Sequence, residues 1–214
     1  MLFLICALGA YLLGSIPFGF LAGRLNGRDL RREGSGNIGA TNALRVLGKG
    51  WGYSVFALDF LKGFAAVKAA LLFAGDYGGI IAAVFVLLGH NFPVWLKFKG
   101  GKGISTSGGI ILGLFPWPVF VISISVWGLS FLISRYVSIA SLLGSTTLPT
   151  LMLIFVFNGW TTWPLTITSI VMWALAIWRH RGNIQRLLAG TEPRFERKKK
   201  LGPDAKAGET ADAK

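Results

Sequence analysis

Thiols and carboxylates are scarce in this sequence, and their scarcity excludes whole classes of chemistry. Cys6 is the single cysteine, so neither an intrachain disulfide nor a multi-thiol metal site is available to one chain. Nine carboxylates are spread over 214 residues without an Asp/Glu cluster, so no metal and no cofactor is expected. Charge of either sign is low as well: 14% of the residues are charged, against about a quarter in a soluble domain. No basic segment precedes the first apolar run, so residues 1–23 are expected to stay as a helix and not to be cleaved as a signal. No internal repeat at a fixed period is visible.

What the chain has instead is apolar length. Hydrophobic residues make up 53% of it, in runs suited to the ~20 residues that cover about 30 Å of hydrocarbon. Helices are expected at 1–23, 53–75, 78–96, 104–115, 117–134, 137–157 and 161–178. The fold class is an all-α integral membrane protein of about seven transmembrane helices. The turns at 75–78, 115–118 and 158–161 carry Trp or Tyr, rings that settle at the headgroup level. Segment 104–115 reaches only about 18 Å as a helix, and a single kinked helix over 104–134 is the alternative. Parity favours seven crossings, because one fewer would put the basic tail opposite the first two basic loops.

The formal charge of +13 does not call for nucleic acid in such a protein. Of 22 Lys and Arg, 20 fall in 24–52, 97–103, 135–136 and the tail from Arg179; Lys62 and Lys68 lie within a helix. Cytoplasmic loops are enriched in Lys and Arg, so the N-terminus is expected outside and the C-terminus in the cytoplasm. Residues 1–196 form the transmembrane domain. Residues 197–214 lack the apolar content to fold and are expected to be a disordered basic cytoplasmic tail that touches anionic lipid.

Three polar segments carry the chemistry. The first is Gly34-Ser35-Gly36-Asn37-Ile38-Gly39-Ala40-Thr41-Asn42 with Arg45: small residues admit a ligand, successive N–H groups make anion-binding concavities, and Arg grips phosphate bidentately. The second is Lys97-Phe98-Lys99-Gly100-Gly101-Lys102-Gly103, followed by Ser105, Thr106 and Ser107. It is not a Walker A, since Gly103 follows Lys102, but it opens onto a helix N-terminus that favours anions. The third runs from Arg179 through His180, Asn183 and Arg186 to Glu192, where the last helix leaves the membrane. His90, with Trp95 five positions on in place of a carboxylate, lacks the common acyltransferase box and reads as a buried histidine bonded to a neighbouring helix. Asp59 and Lys62 share a helix face, and either Asp59–Lys62 or Asp59–Arg45 pairing is open. Ser138 and Ser141 share a face at the cytoplasmic start of the sixth helix. A pocket for phosphorylated substrates at the membrane surface follows.

These segments, with Gly89-His90-Asn91, resemble the three motifs of the bacterial acyl-phosphate:glycerol-3-phosphate acyltransferase family (PlsY). The resemblance covers residues 1 to about 195, including the helix count and Asp59-Phe60-Leu61-Lys62-Gly63. It implies transfer of a fatty acyl group from acyl phosphate to the 1-hydroxyl of sn-glycerol 3-phosphate, giving lysophosphatidic acid and phosphate, the first acylation of phospholipid synthesis. It also implies a bacterial cytoplasmic (inner) membrane enzyme with its site on the cytoplasmic side, a monomer in the lipid bilayer. A functional link to a soluble acyl-phosphate-producing enzyme goes with it. By similarity, Ser35, Arg45, Lys102, His180 and Asn183 are expected to be catalytic. Gly36, Asn37, Gly39, Ala40, Thr41, Asn42, Gly100, Gly101, Gly103, Ser138, Ser141 and Glu192 are expected to bind substrate, the loop amides holding the acyl-phosphate head and Glu192 ordering the third motif. Two proton acceptors stay open, His180 and a substrate phosphate. The competing readings are a transporter for phosphorylated metabolites, against which the lack of a repeat and the clustering of donors at one surface speak, and a non-catalytic lipid-binding protein, which would not need Ser35, Asn37, Asn42, His180 and Asn183 together.

Overall fold

The computed structural model of the chain describes residues 1–195. Among them the helices are α1 (Leu2–Ser15), α2 (Phe18–Leu25), α3 (Ala40–Leu47), α4 (Lys49–Asn91), α5 (Ile104–Leu114), α6 (Trp117–Ser134), α7 (Val137–Phe157), α8 (Trp163–Arg179) and α9 (Arg181–Leu188). A short 3-10 turn lies at Val94–Leu96. The expected tail, 197–214, lies outside the described residues. Among the described residues four stretches are long and apolar enough to cross a bilayer: Leu2–Leu25, Lys49–Leu96, Trp117–Ser134 and Val137–Phe157.

The breaks in these helices follow from single residues. Pro17 has no N–H and pushes the residue before it out of the helical region; Ile16 accordingly sits at φ −62°, ψ 113°, and α1 gives way to α2. Gly75 interrupts α4 at φ 63°, ψ −161°, a conformation open to glycine. The chain reverses there, as the turn at 75–78 foretold. Residues 49–74 and 76–91 run antiparallel, so Gly79 lies against the Leu71 side chain and Asp59 meets His90. The second arm stops at Asn91, short of the expected 96, because Pro93 forces the preceding residue off the helix.

Glycines let the helices close on this hairpin. Gly14 and Gly89 bring α1 onto the backbone of the second arm, and Gly63 and Gly109 bring α5 onto the first. Small residues of this kind let backbones approach within a membrane, where lipid gives no hydrophobic drive between helices. Helix α5 is 11 residues long, about 16 Å, and Phe115 and Pro116 separate it from α6. The two are distinct helices, so the single kinked helix is ruled out.

Two helices were not expected from the sequence. Helix α3 lies within the segment read as a polar connection; its Ala43 packs with Ala22, Leu30 and Val55 in a small satellite core. Helix α9 follows α8 with only His180 between them. Each is eight residues long, barely two turns, so its apolar periodicity is too short to stand out.

The charges inside the hairpin are paired. Lys62 Nζ lies 2.8 Å from Asp59 Oδ1, and His90 Nδ1 lies 3.5 Å from the same oxygen. Of the two open pairings, Lys62 is the partner. Lys62 also donates to Ile16 O at 2.9 Å, the carbonyl beside the α1–α2 break. Removing one partner of a buried pair costs roughly 3–5 kcal/mol because the other charge is stranded. Lys62→Met is therefore expected to lower unfolding stability in detergent by about that much, and Asp59→Asn combined with Lys62→Met to recover part of the loss. Equal stability of single and double variants would rule the pairing out.

Candidate active site at the membrane surface

The first motif folds around Asn42, which is 1% exposed. Its Oδ1 accepts the Ser35 N–H at 2.8 Å, and its Nδ2 donates to Leu30 O at 3.0 Å and to Glu33 O at 2.9 Å. Gly34, at φ 60°, passes so close to the Asn42 amide that a Cβ would collide with it. Asn42 was expected to bind substrate; its carbonyl and amide are engaged by the loop, which they hold in shape. Asn37 Oδ1 likewise accepts the Gly39 N–H at 2.8 Å, so that amide is also engaged. The Gly36 N–H donates to Glu33 O at 3.0 Å. Groups left for a ligand include the Ala40 and Thr41 amides at the start of α3, the Asn37 side-chain amide, the Ser35 hydroxyl and Arg45. Among the described residues the Ser35 hydroxyl makes no protein hydrogen bond and Arg45 makes no ion pair. Arg28 pairs with Glu33, and Arg31 with Asp29 at 2.7 Å.

In the second motif the expected amide cradle is partly closed. The Gly100 N–H donates to Asn91 O and the Gly101 N–H to His90 O, both at 3.1 Å. Both amides, expected to hold substrate, are engaged in holding the loop. Gly103, at φ 84°, turns the chain into α5, whose first amides lack intrahelical acceptors and carry the positive dipole end. Lys102 stands just before them. Burial pushes its ammonium down to about 8, with Glu192 opposing that shift and Arg186, Arg179 and Arg45 adding to it.

In the third motif Glu192 joins Asn183 and Arg186. Asn183 Nδ2 donates to its Oε1 at 2.7 Å and Arg186 Nε to its Oε2 at 2.8 Å. Burial pushes the Glu192 carboxyl up, but these hydrogen bonds outweigh it and hold it below the usual carboxylate range. The chain then returns to the α6–α7 turn, where the Phe195 N–H donates to Arg135 O at 2.9 Å. His180, 2% exposed, bonds Ala176 O through Nδ1 at 2.8 Å. A carbonyl only accepts, so Nδ1 carries the proton and Nε2 is left with its lone pair. Burial first and the Lys102 charge second push His180 down to about 4; the ring is neutral at pH 7, chiefly through burial and less through its arginine neighbours.

The three motifs meet electrostatically. Lys102 feels Arg45 from the first motif and Glu192, Arg186 and Arg179 from the third, while His180 feels Lys102 and Glu192. Ser138 and Ser141 are buried on α7. Ser141 accepts from Trp127 Nε1 at 3.4 Å and lines a cleft of about 580 Å³, open mouth included, between α5, α6, α7 and α8. Its walls are mainly apolar, among them Ile111, Phe120, Leu148 and Met172, and they reach Ala176, one turn before His180. No contact brings Ser35 to Lys102 or His180 among the described residues. Arg179, which the sequence reading did not single out, grips the second loop; only the tertiary fold reveals it.

A multi-pass helical membrane protein with an electropositive surface site beside a lipid-sized cleft is the class defined by this geometry. The family model for glycerol-3-phosphate acyltransferase matches residues 4–190. Glycerol-3-phosphate acyltransferases from Synechococcus sp. (strain CC9902) and Desulforamulus reducens are 47% and 44% identical, over 92% and 90% of this chain and 96% and 94% of their own. The crystal structure of PlsY (YgiH), an integral membrane glycerol 3-phosphate acyltransferase, in its glycerol 3-phosphate form, superposes with a TM-score of 0.84. That structure is 42% identical and the match covers 91% of this chain and 96% of that one. Its lysophosphatidic acid form gives 0.81 at 41% identity, over 91% and 95% of the two chains. The chain belongs to the glycerol-3-phosphate acyltransferase family.

The Lys102 shift has a sign that kinetics can read. Below about pH 8 it is an ammonium and above it the charge is lost, and kcat/KM reports groups of the free enzyme. Acyl transfer is expected to fall above pH 8 in the wild type and to hold level in Lys102→Arg, whose guanidinium does not titrate there. Identical alkaline profiles would remove the Lys102 charge from the reaction.

Proposed function

We propose that the chain moves a fatty acyl group from acyl phosphate to the 1-hydroxyl of sn-glycerol 3-phosphate, at the cytoplasmic face of a bacterial inner membrane. The observation that carries this reading is the junction of an apolar cleft between α5, α6, α7 and α8 with the electropositive pocket around Lys102 and His180. A lipid donor needs the first, a soluble anionic acceptor the second, and acyl phosphate needs both in one molecule.

In this reading the acyl chain lies in the cleft and its phosphate at the pocket. Arg45, Lys102 and the first amides of α3 and α5 neutralise phosphate charge, with Ser35 and Ser141 as hydroxyl partners. His180 Nε2 and Asn183 orient the glycerol 1-hydroxyl. The hydroxyl oxygen forms the new ester bond to the acyl carbon as the bond from that carbon to the phosphate oxygen breaks. The hydroxyl proton ends on a phosphate oxygen, because a histidine held at about 4 is a weak base at pH 7. The donor is already activated, so positioning and charge neutralisation supply the rate.

The reversals at Gly75 and Phe115–Pro116, with Leu2–Leu25 a single stretch across the Ile16–Pro17 break, support seven crossings: α1–α2, each arm of α4, α5, α6, α7 and α8 counted once. The excess of Lys and Arg on one side supports an outside N-terminus and a cytoplasmic C-terminus. The enzyme acts as a monomer in this reading, and a soluble enzyme that makes acyl phosphate supplies the donor.

Purified protein given glycerol 3-phosphate is expected to make lysophosphatidic acid from palmitoyl phosphate and not from palmitoyl-CoA. Arg45→Ala is expected to lower kcat/KM by ~10- to 100-fold, the range of one hydrogen bond to a charged group. Turnover of the CoA donor alone would overturn the donor assignment, and full activity in Arg45→Ala would remove that residue from the site.

A further inference from the structure

Arg179 ends α8 one residue before His180, and its guanidinium reaches the loop that carries Lys102. Nε donates to Gly101 O at 2.9 Å and Nη2 to Gly100 O at 2.6 Å. The opposite edge of that dipeptide is held by the end of α4, through Gly100 N–H to Asn91 O and Gly101 N–H to His90 O. Two consecutive residues thus have every backbone donor and acceptor committed. Neither has room for a side chain: a Cβ would strike the His90 carbonyl at Gly100 and the His90 ring at Gly101. Arg179 itself lies 5.7 Å from the ring centres of both Phe92 and Trp178, which narrows its other placements. Lys102 leaves directly from this immobilised dipeptide.

We propose that Arg179 is a positioning residue for acyl transfer: by bridging the Gly100 and Gly101 carbonyls it sets the separation of Lys102 from His180. The proposal rests on the functional reading above for the roles of those two side chains. The guanidinium is needed as a fork and not merely as a charge. Its two N–H groups are fixed in one plane and meet two carbonyls in succession, whereas a lysine ammonium is a point donor on a flexible stem. Misplacing a catalytic group by about 1 Å costs ~10²-fold, so a slack loop is costly even with Lys102 present.

The test compares Arg179→Lys and Arg179→Ala with the wild type, with the unfolding temperature of each recorded. Expected losses in kcat/KM for glycerol 3-phosphate are ~10-fold for Arg179→Lys and ~100-fold for Arg179→Ala, with part of the Arg179→Ala loss restored by added guanidinium. Arg179→Lys within about twofold of wild type, or a folded Arg179→Ala that guanidinium does not restore, overturns the proposal. Should Arg179→Ala not fold, Arg179→Lys decides. Calorimetry of glycerol 3-phosphate binding reads the same geometry without turnover, with ~10-fold weaker binding expected for Arg179→Lys. A wild type that binds but makes no product would sink the acyl-transfer reading, and the affinity ratio would still decide Arg179, since equal affinities overturn it.

Discussion

A helix broken at the edge of a bilayer exposes backbone groups that only protein can satisfy, and this chain breaks its helices repeatedly to build its site. Three of the interruptions are capped by a side chain from elsewhere in the fold. The Ile16 carbonyl, beside the α1–α2 break, takes the Lys62 ammonium. The Phe92 carbonyl, after α4, takes the Tyr11 hydroxyl at 2.8 Å. The Gly100 and Gly101 carbonyls take Arg179. Lys62 is in turn paired with Asp59, and Asp59 reaches His90, whose ring lies against Gly101. A buried ion pair deep in the hairpin and a glycine loop at the surface are therefore parts of one connected assembly.

That assembly explains the electrostatics. Holding the Gly-rich loop tightly against α4 and α8 keeps Lys102 and His180 out of water, and burial is the largest influence on both. The pocket then holds more cationic groups than Glu192 alone offsets, together with helix starts at Ala40, Ile104 and Arg181. An environment that penalises an ammonium in isolation rewards an incoming phosphate. The adjoining cleft is mainly apolar, so the same few side chains mark the boundary between a lipid substrate and a soluble one.

Much of this was legible in the sequence, though not evenly. The long apolar runs and the turn at Gly75 follow from composition and from glycine's backbone freedom, whereas 1–23 was expected as one helix and Pro17 divides it. The three motifs and the buried histidine were visible as residue types at fixed spacing. What spacing does not reveal is the direction of a hydrogen bond. A glycine that offers its amide to a ligand and one that must pass under a histidine ring look alike in a string of letters, so Gly100 and Gly101 were assigned to substrate when their amides hold the loop. The loop-holding bonds of Asn42 were hidden for the same reason, its partners being backbone groups at Leu30, Glu33 and Ser35. Arg179 stood among other basic residues, and its partners lie 78 and 79 positions away. Helices α3 and α9 are too short to carry a periodic signal.

The central claim is that one phosphate is held between the first and second motifs, at Lys102 and Arg45, beside the start of α5. A crystal structure of this protein with glycerol 3-phosphate tests it most directly. The account predicts phosphate oxygens at charge-assisted hydrogen-bond distance, ~2.7–2.9 Å, from Lys102 Nζ and the Arg45 guanidinium, with the glycerol 1-hydroxyl turned toward His180 Nε2. Phosphate seated instead on the exposed Arg28–Arg31 surface, with Lys102 untouched, would contradict it.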